Sequence, residues 1–135
     1  MIVDASVLIA AANSSDPNSS RCQQSLRVNR NGELIVPAVA LAEAAYLIQK
    51  RLGAHAEATL VESLTAAPWR IEGPTEADLI RAALLMRQYL DLPLGLSDAL
   101  TVACAERLDE HTIASLDNHF RIVKPAHTAT FIVIP

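Results

Sequence analysis

The stretch that most constrains this chain is its first, MIVDASVLIAAA, in which a strand-like apolar triplet gives way to a helix-like run across a single acid, Asp4. Met1, Ile2 and Val3 suit a strand buried on both faces, as inner strands of parallel sheets are, and Ala10 to Ala12 suit a helix that follows it. Asp4 then falls at the carboxyl end of the strand, the end at which open parallel sheets bind ligands. Ser6 stands where it can cap the next helix and face the same crevice. An aspartate at a strand end also serves as a plain turn or cap residue, so Asp4 alone does not separate structure from chemistry.

The remainder alternates in the same way. Asn13 to Ser20 (NSSDPNSS) reads as a loop, with Asn18 or Ser19 available to cap a helix from Arg21 to Asn29 that Asn31 and Gly32 end. Leu34 to Val36, closed by Pro37, make a second strand and complete a βαβ step. Ala38 to Arg51 is helical, with Val39, Ala42, Tyr46 and Gln49 on one face and Leu41, Ala45 and Ile48 beside it. Gly53 turns this into a second helix, Ala54 to Ala66. Pro68 to Glu72 form a short strand, and Pro74 opens a helix with Thr75, Glu76 and Asp78 in its first turn that runs to about Leu90. Pro93 and Gly95 break the pattern before Ser97, placed to cap a helix from Asp98 to Leu108; Thr112 to Leu116 and Thr130 to Ile134 supply the last strands. The expectation is one α/β domain over residues 1–135, three-layered (α/β/α), with a mainly parallel central sheet.

Composition bounds the function. Hydrophobic residues are 51% and aromatics 4%, so the core must be aliphatic. Cys22 and Cys104 are too few for a disulfide framework and read as buried small hydrophobes, which fits a reducing compartment. The amino terminus shows no secretory signal, and the longest apolar span, Leu34 to Ile48, contains Glu43 and is shorter than the roughly 20 residues a membrane helix needs, so a cytoplasmic protein is expected. A net charge of −4 argues against a nucleic-acid binder of the basic-patch kind. Setting aside four of the 15 acids as metal ligands, however, leaves 11 against 11 basic residues.

Three further acids sit oddly in their surroundings. Glu43 is the one charge in VPAVALAEAAYLI, where a buried carboxylate needs a partner unless it occupies a solvent-facing stripe. Asp98 follows Ser97 at the start of the apolar helix ALTVACA, where it serves the helix dipole or faces a crevice at the sheet. Asp117 ends the strand TIASL as Asp4 ends the first, as an Asx-turn or a second strand-end ligand. If the strands are neighbours, the four acids converge on one crevice. Four clustered carboxylates repel strongly, about 4 kcal/mol per pair at 4 Å and an effective dielectric of 20, and persist only with cations. An oxygen-only set favours Mg²⁺ or Mn²⁺, whose natural chemistry is phosphoryl-group work.

Taken together, MIVDASVLIA, Glu43 in the helix after the second strand, LSDALTVACA around Asp98 and SLDNHF around Asp117 resemble the PIN-domain ribonucleases, in particular the VapC-type toxins of prokaryotic toxin–antitoxin pairs. The resemblance covers nearly the whole chain and lies in the order and separation of the motifs. It implies that Asp4, Glu43, Asp98 and Asp117 bind metal, with Ser6 beside the first acid and Ser115 where the family more often has threonine. It further implies metal-dependent endonucleolytic cleavage of RNA by a homodimer silenced by a cognate antitoxin. Arg21, Arg27, Arg30, Lys50 and Arg51 are candidates to guide the RNA backbone, and the apolar α-hairpin from Ala38 to Ala66 is a candidate self-association or antitoxin surface. With five aromatic residues, little in the chain speaks of RNA sequence. A haloacid-dehalogenase-type phosphatase would need an acid at Ser6. A phospho-receiver matches Lys124 and Pro125 but lacks an acidic neighbour for Asp4, and a binding protein that has lost its chemistry would not keep all four acids.

Overall fold

Strand β1 (Ile2–Val3) forms the middle of a five-stranded sheet in a computed structural model that describes residues 1–135. Its neighbours are β2 (Leu34–Pro37) and β4 (Thr112–Ala114), with β3 (Trp69–Glu72) and β5 (Ile132–Ile134) at the edges, in the order β3-β2-β1-β4-β5. Every pairing is parallel, with Ile2 opposite both Ile35 and Ile113. From β1 the chain passes to β2 through α1 (Ala5–Ala12), α2 (Ser19–Val28) and a 3₁₀ turn at Asn29–Asn31. Helices α3 (Ala38–Leu52) and α4 (Ala54–Ser63) join β2 to β3. Then α5 (Glu76–Gln88) and α6 (Leu96–Arg107) carry the chain back to β4 on the other side of β1, and α7 (His119–Ile122) precedes β5. The order of the strands reverses between β1 and β4, which is where a crevice opens at the carboxyl ends.

Alternation along the strands divides the core in two. Val3, Leu34, Val36 and Ala114 pack with Leu8, Ala44, Ile48 and Leu60 of the first four helices, whereas Ile2, Ile35 and Ile113 pack with Leu85, Val102 and Phe120 of the last three. The expected α/β/α layering is therefore the observed one. Helix α6 is buried from Ala99 to Ala105, as its uniformly apolar sequence requires. Cys22 and Cys104 are buried free thiols, and burial lifts both, Cys104 to about 11.

Several local expectations need correction. The core stripe of α3 is Ala40, Ala44 and Ile48, spaced four apart, while Tyr46 is 60% exposed; in so alanine-rich a helix the apolar residues do not identify the inner face. Ser97 does not cap α6. The helix begins at Leu96 with Gly95 at the cap position, so Ser97 lies in the first turn with its Oγ buried and unpartnered. Ser6 likewise is not the cap of α1, because Asp4 takes that position and accepts the Ser6 N–H. Thr75 caps α5 in a capping box with Asp78. Asp78, 3% exposed, is also held by Arg107 Nε at 2.9 Å, and Arg81 grips Glu106 through two 2.8 Å bonds. These pairs fix α5 against α6 and so set where the amino end of α6 meets the sheet.

A candidate metal centre at the carboxyl end of the sheet

Asp4 leaves β1 in extended conformation and its carboxylate turns back over the start of α1, so the cap and the crevice-facing acid are the same residue. Its Oδ2 accepts from Ser6 N (3.2 Å), Ser6 Oγ (2.6 Å) and Ser115 Oγ (2.9 Å). The side chain is buried, yet all three donors fall on one oxygen, so Oδ1 keeps its lone pairs uncommitted. The two hydroxyls also knit the strand ends together, Ser6 Oγ accepting from Leu116 N and Ser115 Oγ from Asp117 N, each at 2.9 Å. Because β1 and β4 are neighbours, residues more than a hundred positions apart meet here.

Asp117 leaves β4 in the expected Asx-turn, Oδ1 accepting from His119 N at 2.8 Å. Asp98 approaches from α6, its Oδ2 3.0 Å from His119 Nδ1, and that same nitrogen is 3.4 Å from Asp117 Oδ1. Ligand atoms of Asp98, Asp117 and His119 all lie within 4.8 Å of one another. Burial raises the Asp98 carboxyl above its usual range; the His119 contact pulls the other way, and the charges of Asp4 and Asp117 push it up again. Asp98 is thus in the electrostatic field of both strand-end acids.

Glu43 stands apart in kind. It is exposed on α3 and needs no partner, which removes the burial premise of the sequence reading, because that helix turns a solvent face to the cleft. It nevertheless lines the same cleft of about 280 Å³ as Asp4, Asp98 and Asp117, together with Asp16 from the loop before α2 and Arg51 from the end of α3. The four expected acids, and Ser6 beside Asp4, therefore share one cleft. Of the basic candidates only Arg51 lines it. Arg27 and Arg30 border a different cavity, Arg21 bonds Asn18 Oδ1, and Lys50 lies over the Tyr46 ring.

The sequence reading missed His119. The signal lies in SLDNHF, where a histidine two residues after a strand-end acid reads as an ordinary turn residue. Its ring holds Asp98 and stands beside Asp117. Asp16 was missed because NSSDPNSS reads as an ordinary polar loop.

The PIN domain family model matches residues 1–124, spanning all of these positions. The chain belongs to the PIN-domain family. Its VapC-type character is equally plain: it is 30% identical to Ribonuclease VapC26 of Mycobacterium tuberculosis over 136 aligned positions that cover both chains completely. The fold is similar to that of Mycobacterium tuberculosis VapC20, described as a Sarcin-Ricin loop cleaving toxin, with a TM-score of 0.84 at 16% identity over 94% of this chain and 97% of that one. It is also similar to a chain of the Rickettsia felis VapBC2 complex bound to a promoter DNA fragment, with a TM-score of 0.72 at 14% identity over 98% and 95%. The phosphatase and receiver alternatives fall with this assignment.

Proposed function

We propose that this PIN-domain protein is a metal-dependent endoribonuclease, the toxin of a VapBC-type pair, acting in the cytoplasm as a homodimer and held inactive by a cognate antitoxin. The observation that carries the reading is the convergence of Asp4, Asp98 and Asp117 at the point where strand order reverses, in a chain collinear with a named ribonuclease. The residues fit a divalent cation. Asp4 presents one saturated and one uncommitted oxygen, and Asp98 and Asp117 add carboxylates that mutual repulsion would otherwise oppose. Mg²⁺ or Mn²⁺ suits the carboxylates, and His119, its Nδ1 turned to Asp98 Oδ2, would orient that acid from behind.

Bound there, the cation supplies the Lewis acidity and water activation that phosphodiester hydrolysis requires. The chain supplies position. Ser6 and Ser115 fix the Asp4 rotamer, Asp98 and Asp117 complete the inner wall, and Glu43 contributes an exposed carboxylate at the outer wall. Arg51 is the one cation on that wall and would meet a backbone phosphate. For the antitoxin, an apolar cleft of about 430 Å³ runs between α1, α2 and α4, lined by Leu8, Ala11, Leu26, Leu60 and Leu64, and would take the apolar face of a partner helix. The complexes named among the structural neighbours support a partner of this kind.

The test is cleavage of a mixed RNA pool in Mg²⁺ or Mn²⁺, with EDTA as control, by wild type and Asp98→Asn. Metal-dependent cuts that disappear in the variant are expected. Cutting that persists in EDTA, or in the variant, would overturn the assignment.

A further inference from the structure

A second group of ligating side chains lies at the opposite end of the sheet and has no part in the cleft. Asp109 and His111 flank Glu110 in the turn between α6 and β4, and His127 reaches them from the segment between α7 and β5. One ligand atom from each lies within 4.8 Å of the other two. His111 Nε2 and Asp109 Oδ1 are 3.2 Å apart, a hydrogen bond that an entering ion would replace and a spacing close to the edge of about 3.3 Å between two ligands of a tetrahedral zinc at about 2.0 Å.

His127 provides the decisive chemistry. Its Nε2 lies 3.0 Å from the Glu110 carbonyl oxygen, which can only accept, so Nε2 carries the proton and Nδ1 is left as a bare lone pair. That Nδ1 is buried and has no hydrogen-bond partner. An imidazole that donates one N–H to a backbone carbonyl while its other nitrogen goes unsatisfied has the tautomer and support that metal-bound histidines have. The ring is held in place by an edge contact with His111 at 5.0 Å and by Phe131 at 5.8 Å.

We propose that Asp109, His111 and His127 form a structural transition-metal site of the zinc class, distinct from the carboxylate-rich cleft. Two imidazoles and one carboxylate select a borderline ion over Mg²⁺. Asp109 and His111 have side chains 83% and 50% exposed, so an ion can enter and keep a solvent ligand. The clamp would tie the turn before β4 to the segment before β5, reinforcing the bond from Ile132 N to the His111 carbonyl oxygen at 2.9 Å. Strand β5 in turn accepts Ser115 N–H through Ile134 O at 2.7 Å, so the ion would brace the edge that holds one of the Asp4 donors.

The experiment uses the full chain carrying Asp98→Asn and Asp117→Asn, which removes the cleft as a competing site, titrated with Zn²⁺ and with Co²⁺ as a spectroscopic substitute. One equivalent should bind, and Zn²⁺ at about 100 times its Kd should raise Tm by about 8 °C. His111→Ala and Asp109→Gly should each weaken binding at least tenfold and abolish the shift. Asp109 has φ +56°, a conformation glycine adopts freely, so Asp109→Gly loses the ligand without endangering the fold. An unchanged equivalent of Zn²⁺ in Asp109→Gly, or no binding below millimolar Zn²⁺ in the parent, would refute the site. Neither result depends on whether the protein cleaves RNA.

Discussion

Asp98→Asn should stabilise the metal-free protein while removing its response to metal. A ligand oxygen of Asp98 lies within 4.8 Å of one of Asp117, and two unit charges at that separation cost about 3.5 kcal/mol at an effective dielectric of 20. The two side chains are 19% and 38% exposed, so solvent screening leaves about 1–1.5 kcal/mol of that repulsion. Asparagine keeps an acceptor for a His119 Nδ1–H and forfeits only the charge assistance, about 0.5 kcal/mol. The balance is a gain of about 1 kcal/mol, or about 3–5 °C in Tm for a chain of this size. Thermal melts in EDTA read this directly. In Mn²⁺ the wild type should melt higher than in EDTA, the variant should not, and RNA cleavage by the variant should fall by more than about 100-fold. A metal-free variant melting several degrees below wild type would show that Asp98 serves the helix dipole and His119, not a repulsive ligand cluster.

Ser115→Ala removes a buried donor to a charged carboxylate and should cost about 1.5–3 kcal/mol in urea unfolding, with lower Mn²⁺ affinity in the same protein. A loss of stability with no change in metal affinity would mean that Ser115 braces the strands without orienting Asp4. Arg107→Ala leaves Asp78 buried and unpaired and should cost about 3 kcal/mol by urea unfolding; a cost within error of zero would mean that the Asp78 bonds in the Thr75 capping box suffice. Burial pushes the Glu106 carboxyl up, but the Arg81 fork and the Ala126 N–H outweigh it and hold the group below its usual range. Its contribution is therefore complete above the unfolded value of about 4.3 and is lost as pH falls through the lower folded one. The gap in urea midpoint between wild type and Glu106→Gln should narrow between pH 6 and pH 3, and a constant gap would contradict the assignment.

The sheet and its layers were legible in the chain because strands buried on both faces are largely apolar, as MIV and LIV are throughout and TIASL is apart from Thr112 and Ser115. Asp4 and Asp117 stood out for the same reason: an acid that ends such a strand lies at the crevice end of the sheet, whether or not it also caps a helix, as Asp4 does, or makes an Asx-turn, as Asp117 does. Helix faces were less so. In α3 the alanines that pack inward and those that face solvent are the same residue type, so Glu43 gave the appearance of a buried charge when it is an exposed one. The caps of α1 and α6 lie two residues before the serine that seemed to claim each, at Asp4 in one case and Gly95 in the other. His119 and His127 became visible only in three dimensions, since what marks each is a neighbour 21 or 16 residues away in sequence, Asp98 for one and His111 for the other.

The cleft is built in two halves, one held by hydrogen bonds and one exposed, and this bears on how it would work. Asp4, Asp98 and Asp117 are each tied by hydrogen bonds to neighbouring strand ends or to His119, so their geometry is set before any ligand arrives. Glu43 and Arg51 project from the exposed face of α3. Replacing an inner acid should therefore abolish metal binding and cleavage together, whereas Glu43→Gln should lower cleavage while leaving the Mn²⁺-induced rise in Tm largely in place. Parallel measurements of melting and cleavage on Glu43→Gln decide it: if the metal response vanishes with activity, Glu43 belongs to the fixed half after all, and α3 must close on the cleft when the cation binds.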